Sequence, residues 1–365
     1  MGTVSKGNVT VVLFYKHTSL LITSILLGLI AVPSIGWAQK TPDINSSDLT
    51  PVYPFSAPLP RVKPLPDERG VQKHSLETDY RVGNLLEDFT GNLWIGSWRG
   101  LSRIDPKTGK IVSRVNLPNV TIGALAQDKV GRLWVGSYEG LIRVDPRTKE
   151  ITAQNLFLPS KRVLSLLLDK RGYLWTGTDS GLALISPDHM TTLKNLPGVS
   201  ANTMILDAEG QLWVGTLDGL VRVNTASAAI MKRIADLPGT TVQALAISPE
   251  GLIWARMPNN LLVINPKTGA VLRSVTRLRG RNVTVVGFAK DGSVWVGTNN
   301  GLLRLNPNTG AVLDPEFAGL ASSRVLTLAP DIGNKLWIGT SEGLAWLMPK
   351  TNSAKPHIAF SRAVK

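Results

Sequence analysis

The stretch Gly210–Asn224, GQLWVGTLDGLVRVN, decides the fold, because six near-copies of it stand in the same chain. They read GNLWIGSWRGLSRID from Gly91, GRLWVGSYEGLIRVD from Gly131, GYLWTGTDSGLALIS from Gly172, GLIWARMPNNLLVIN from Gly251, GSVWVGTNNGLLRLN from Gly292 and NKLWIGTSEGLAWLM from Asn334. The aligned tryptophans, Trp94, Trp134, Trp175, Trp213, Trp254, Trp295 and Trp337, lie 40, 41, 38, 41, 41 and 42 residues apart. A period of about 40 residues marks an array of supersecondary units, none of which can bury its apolar face alone.

Within each period, four short apolar runs alternate with turn signals. In the second copy TIGALAQD ends at Asp128, RLWVGS and GLIRVD each follow a glycine, and ITAQNLFLP closes the unit after PRTKE. Runs of this length bounded by Gly, Pro, Asn and Asp read as strands, and four strands in about 40 residues is the period of a propeller blade. The expected fold is all-β: a single seven-bladed β-propeller of four-stranded antiparallel blades over residues 80–365. LWVG is apolar at consecutive positions, as a strand buried on both faces requires. Its tryptophan brings roughly 150–250 Å² of surface to the wedge between blades. The turn aspartates Asp88, Asp128, Asp169, Asp207 and Asp331 are placed to accept hydrogen bonds from their own turns. One carboxylate per blade is far short of the roughly six to eight oxygens that calcium takes, so no metal site is expected. DPKTG and NPNTG read as turns in which proline presets φ. Closing the ring removes the exposed strand edges of an open array. The outermost strand of the last blade is expected in HIAFSRAV from His357, with Val71–Leu76 as the alternative from the other terminus.

Residues 1–38 read as a signal peptide. Lys6 and Lys16 precede the apolar run SLLITSILLGLIAV, and Gly36 and Ala38 put small residues where a signal peptidase looks. An uncleaved membrane anchor is the alternative, since the run approaches the roughly 20 residues that span a bilayer. A periplasmic or secreted location follows, or a membrane-anchored one if the leader stays. Residues 39–79 form a linker with prolines at 42, 51, 54, 58, 60, 64 and 66, a composition that favours extended conformations over paired strands. The formal charge of +14 points to an acidic partner, and export makes nucleic acid the least expected of these. There is no cysteine, which excludes disulfides, thiol nucleophiles and Cys-ligated zinc.

The unit GxLWVGTxxGLxRxxP, seven times over from about Tyr80 to Pro349, resembles the two-component regulator propeller repeat. That resemblance implies a ligand-binding sensor propeller, frequently for saccharides, working with a membrane sensor kinase. The sequence to Lys365 carries no kinase or other output module, so the binding module is the part of the resemblance expected to hold.

Function must lie where the copies differ. In a propeller, the loops entering the innermost strands and those between second and third strands share one face around the channel. Thirteen residues before each tryptophan stand Arg81, Thr121, Arg162, Ser200, Thr241, Asn282 and Arg324, with Arg279 and Arg281 beside the sixth. Guanidinium groups at a channel mouth suit carboxylates, sulfates or phosphates, which arginine grips bidentately; a solvated basic rim is the plainer reading. The variable positions of GTxxG add Trp98 with Arg99 and Tyr138 with Glu139 on adjacent blades, either as platforms for sugar rings or as covers for a neighbouring loop. The fifth copy breaks the pattern: Arg256 replaces a glycine, Met257 a Ser or Thr, and Asn260 the second glycine. Asparagine tolerates the left-handed conformation a glycine can hold, and Arg256 is expected to join the arginines at the mouth.

The expected activity is non-catalytic binding of an anionic glycan or similar small envelope ligand by a monomer, with no cofactor. Two alternatives stand beside it. A protein-interaction scaffold would bind through a mixed patch and resist salt, whereas arginine-based binding is salt-sensitive. A propeller lyase of the streptogramin-inactivating kind would need a general base and electrophilic help, and by register neither His74, His189 nor His357 falls at the channel mouth.

Overall fold

The computed structural model describes residues 79–361 except Trp98, 118–119, 276–277, Arg279, 315–316, 349–350 and Asn352. The leader, the Pro-rich segment up to residue 78, the alternative closing strand at Val71–Leu76 and His74 lie outside the described residues. All of those described belong to one compact unit of the chain, Lys73–Lys365.

Twenty-eight strands form seven four-stranded sheets, each antiparallel and in simple sequence order. The fourth blade shows the pattern: Thr203–Leu206, Leu212–Thr216, Gly219–Asn224 and Ala229–Ile234. Trp213 pairs with Ile205 on one side and Arg222 on the other. The innermost strands are Val82–Glu87, Ile122–Gln127, Val163–Leu168, Thr203–Leu206, Ala244–Ile247, Val283–Phe288 and Val325–Ile332, and each neighbours the next, the last returning to the first. The ring is closed.

Seven apolar clusters sit between blades. Trp175 of blade 3 packs with Met204, Leu212 and Val214 of blade 4, and Trp337 of blade 7 packs with Val82, Leu93 and Ile95 of blade 1. All seven repeat tryptophans are at most 3% exposed. The glycine two residues after the tryptophan exists for the same wedge. A Cβ on Gly215 would lie 2.7 Å from Val242 Cγ1, and one on Gly297 would lie 2.6 Å from Val325 Cγ1, closer than carbon atoms pack. The following blade's entry valine occupies the space a side chain would need.

The blade turns divide by face, because antiparallel order puts the first and third hairpins at one end and the second hairpin with the blade-to-blade loop at the other. At the mouth, the Ser or Thr of the motif locks the second hairpin. Its hydroxyl donates to the carbonyl of the glycine three residues on, at 2.9 Å for Ser137 and Thr340 and 2.7 Å for Thr178. It also accepts the N–H two residues on, as from Glu139 at 3.1 Å and Asn300 at 3.0 Å. At the opposite end, the third hairpins are Asx turns: Asp105 accepts from Lys107 N, and Asn265 from Lys267 N, at 2.8 and 2.9 Å.

Three sequence expectations need correction. The last blade is closed locally, but by Ala354–Pro356, paired Trp346 to Lys355, and not by the segment from His357. Pro356 has no N–H to extend the ladder, and the chain turns into a 3-10 turn, Ile358–Phe360, that buries Phe360 in the cluster between blades 7 and 1. Asp331 does not serve its own turn: it accepts the backbone N–H of Lys290 in blade 6, and Trp337 Nε1 donates instead to Ile332 O at 3.1 Å. A register shift between Ala329 and Ile332 displaces the carboxylate. Asn260 is not in the left-handed region. The fifth hairpin is four residues long, with Arg256 opposite Leu261, and closes through Met257 N to Asn260 O at 2.8 Å, so no glycine conformation is needed.

Candidate ligand-binding site

The mouth candidates come together on blades 1 to 3. Tyr138, on the second hairpin of blade 2, is 42% exposed, and the Arg162 guanidinium from the entry of blade 3 lies 4.6 Å from its ring centroid. That is within cation–π range, so Arg162 occupies one ring face and is held in place by it. Arg81, at the entry of blade 1, donates from Nε to both oxygens of Asp79 at 2.9 and 2.7 Å. That hydrogen bond lowers the Asp79 pKa and raises that of Arg81, and the nearby Tyr138 phenol raises Arg81 further. The Arg81 side chain remains 66% exposed. Tyr138, with Arg162 over its ring, and Arg81, tied to Asp79 nearby, thus form one sector open to solvent.

The other candidates are spread around the rim. Arg99 is exposed on the second hairpin of blade 1, its backbone N–H donating to Ser97 Oγ at 3.3 Å. Arg281 and Arg324 are exposed on the entries of blades 6 and 7, and no contact among the described residues joins them to the Arg81, Tyr138 and Arg162 sector. Trp98 and Arg279 lie outside the described residues.

Arg256 stands where six blades have the wedge glycine, and its Nε donates to the backbone carbonyl of Val283 at the entry of blade 6. Burial pushes its pKa down. It therefore works as a tie between blades 5 and 6, with only its terminal nitrogens left to meet a ligand.

Much of the positive charge has a structural use that the sequence pattern did not disclose. Arg103, Arg143, Arg222, Arg273 and Arg304 lie 5.4 to 5.9 Å from the ring centroids of their own blade's tryptophan. Two of them, and Lys232, then reach the third hairpin of the next blade. Arg143 Nη1 donates to Pro187 O and Asp188 O at 3.1 Å, Lys232 Nζ to Thr268 O at 2.7 Å, and Arg273 to Pro307 O and Asn308 O. Lys335 makes the same clasp across the ring closure, to Pro106 O and Lys107 O at 2.8 and 2.7 Å. Among these clasps only Arg143 is the Arg of the GLxR motif; Lys232 and Arg273 lie on fourth strands, and nothing in a single period says that their partners belong to the next one.

The described histidines, His189 and His357, lie away from the mouth. His189 is on the third hairpin of blade 3, and His357 Nε2 is 2.8 Å from Gly109 O at the ring closure. Among the described residues no cluster of three or more His, Asp or Glu is arranged to hold a metal ion, and no helix is long and apolar enough to cross a membrane.

The two-component regulator propeller family model matches residues 116–139 and 158–180. Each matched segment runs from a blade entry through the innermost and second strands to the mouth hairpin, and together they carry Tyr138 and Arg162. Residues 210–317 match a domain of unknown function, DUF5074. No curated protein matches the chain. Among solved structures, the extracellular domain assigned to a hybrid two-component system of B. thetaiotaomicron superposes with a TM-score of 0.58 at 18% identity, over 72% of this chain and 39% of that one. The present chain thus spans well under half of that relative's length. A catalytically inactive virginiamycin B lyase from Staphylococcus aureus, solved with quinupristin, gives 0.62 at 15% identity over 75% and 96%. Kuenenia stuttgartiensis hydrazine synthase gives 0.53 at 16% over 70% and 84%. At these identities the likenesses speak to the fold. The chain is a seven-bladed propeller, two stretches of which match the two-component regulator propeller repeat.

Proposed function

We propose that the protein is an exported, non-catalytic binding propeller that recognises an anionic saccharide at the channel mouth and passes its occupancy to a two-component system. The observation that carries the reading is the exposed Tyr138 ring with the Arg162 guanidinium over one face, and Arg81, 66% exposed, in the same sector. A sugar ring stacks on the free face of the tyrosine while the guanidinium groups pair with carboxylate or sulfate. The repeat family and the extracellular neighbour favour a sensor context.

Thermal unfolding of the full chain with trigalacturonate and with uncharged maltotriose tests it. At about 100 times its dissociation constant a ligand adds roughly 2.7 kcal/mol, a rise in Tm of about 5 °C for a domain of this size. The rise is expected with trigalacturonate alone, to shrink in high salt, and to vanish in an Arg162→Ala, Tyr138→Ala double variant. A salt-resistant shift produced only by a protein partner would favour the scaffold reading, and disappearance of a streptogramin from the mixture would favour the lyase.

A further inference from the structure

On the face opposite the mouth, two first hairpins carry exposed apolar residues. In the first hairpins, the residue after the turn Asp or its equivalent is Phe89 in blade 1 but Lys129, Lys170, Ala208, Pro249 and Lys290 in blades 2 to 6. The next position is Val130 in blade 2 but Thr90, Arg171, Glu209, Glu250 and Asp291 elsewhere. Phe89 and Val130 are 72% and 68% exposed, and both line the same recess between blades 1 and 2, of about 270 Å³. Gly131 keeps that arrangement open: a Cβ there would lie 2.9 Å from Phe89 Cε1.

The wall of this recess holds an unused donor. Trp134, Trp175 and Trp213 donate their indole N–H to the turn aspartate of their own blade, at 3.1, 3.3 and 2.9 Å. Trp94 is just as buried and lines the recess, yet its Nε1 has no acceptor among the described residues. In this blade Asp88 Oδ2 accepts Arg103 Nε at 2.7 Å, while Oδ1 takes Thr90 N, Thr90 Oγ1 and Asn92 N. Arg103, Arg132 and Arg147 border the recess against Asp88 and Asp145. Arg147 is the most exposed charge among them, with its side chain 88% exposed and Nε 3.6 Å from Asp145.

We propose that this recess is a second ligand site, distinct from the channel mouth, for a small molecule that carries one carboxylate on an apolar body. The body covers Phe89 and Val130, which otherwise leave apolar surface in water. The carboxylate pairs with the exposed guanidinium of Arg147 at the rim. The volume lies at the lower edge of the small-molecule range, which excludes an oligosaccharide.

Titration calorimetry and saturation-transfer NMR on the full chain decide the point, with hydrocinnamate as ligand and hydrocinnamyl alcohol and acetate as comparators. Hydrocinnamate is expected to bind, the alcohol more weakly and acetate not measurably. Phe89→Lys, which installs the residue of blade 2 at an exposed position, should weaken hydrocinnamate by about tenfold or more. Arg147→Ala should weaken hydrocinnamate and leave the alcohol unchanged. Tyr138→Ala, at the mouth, should change neither, so failure of the saccharide site and failure of this one are separable. Absence of saturation transfer to the ring protons at millimolar hydrocinnamate would overturn the proposal. So would equal binding by the Phe89→Lys protein, or a concentration-dependent dimer that Phe89→Lys dissolves, which would make a second copy the occupant.

Discussion

Asp88 shows how one side chain sets the character of its blade. Burial opposes its ionisation, but hydrogen bonds from Thr90 and Asn92 and the charge of Arg103 outweigh this and hold its pKa below the ordinary carboxylate value. A depressed folded pKa contributes stability that is complete above the unfolded value, about 3.9, and is lost as pH falls through the folded one. Acid unfolding should therefore be shallower for Asp88→Asn than for the parent below about pH 4, while the variant is the less stable at pH 7; parallel acid curves would remove Asp88 from the account. The wedge glycines make the second residue-scale prediction. Gly215→Ala should cost about 1–3 kcal/mol because Val242 cannot retreat. Gly83→Ala, with nothing within 4 Å of the added carbon, should stay within about 0.5 kcal/mol. Urea midpoints of the two variants compare them directly. These side-chain roles divide by legibility. The tryptophans and turn aspartates announce themselves by period, since packing needs the same residue in every blade. The arginine clasps do not, because their partners sit one period away; the wedge glycine recurs in six copies, but the valine that explains it belongs to the next copy.

At the scale of the element, each hairpin is locked by chemistry that the repeat spells out. Thr340→Val removes a hydroxyl that both donates to Gly343 O and accepts from Glu342 N. It should lower stability by about 1 kcal/mol, read as a lower urea midpoint at unchanged slope. On the opposite face, Lys149 holds φ at 67° where Gly109, Gly269 and Gly310 stand in the equivalent turns. Lys149→Gly should be neutral to stabilising by up to about 1 kcal/mol, the left-handed strain relieved being partly offset by chain entropy. Strand order and turn positions followed from the periodicity. The fifth mouth hairpin did not, because the loss of its Thr and Gly reads as a substitution, whereas the chain keeps the hairpin's length, gives up its last ladder pair and buries Met257, which is 1% exposed.

For the whole molecule, the question is how a ring of near-identical parts is closed. Without a strand contributed across the junction by the first described residues, closure rests on Trp337 and Phe360 in the apolar cluster, on Lys335 donating to Pro106 O and Lys107 O, and on His357 at Gly109 O. Phe360→Ala should cost about 3 kcal/mol, and native-state hydrogen exchange should rise first in Val82–Glu87 and Val325–Ile332, the strands that meet there. The number of blades and the closed ring were legible because seven copies fill one circle. The mouth site was legible only as a set of seven register positions. It took the structure to pick out the sector on blades 1 to 3, since sequence spacing places residues on a rim without saying which side chains lean together. The same structure sends other basic residues to the clasps, so net charge overstated how much of the surface is free to bind an anion.

The measurement that bears most directly on function is hydrogen exchange by mass spectrometry on the full chain, with and without saturating trigalacturonate. Protection confined to peptides covering Asp79 to Arg81, Ser137 to Gly140 and Ser160 to Val163 is the predicted result. Protection absent from all three, or confined to the hairpins at Asp88 to Gly91 and Asp128 to Gly131 on the other face, would contradict it.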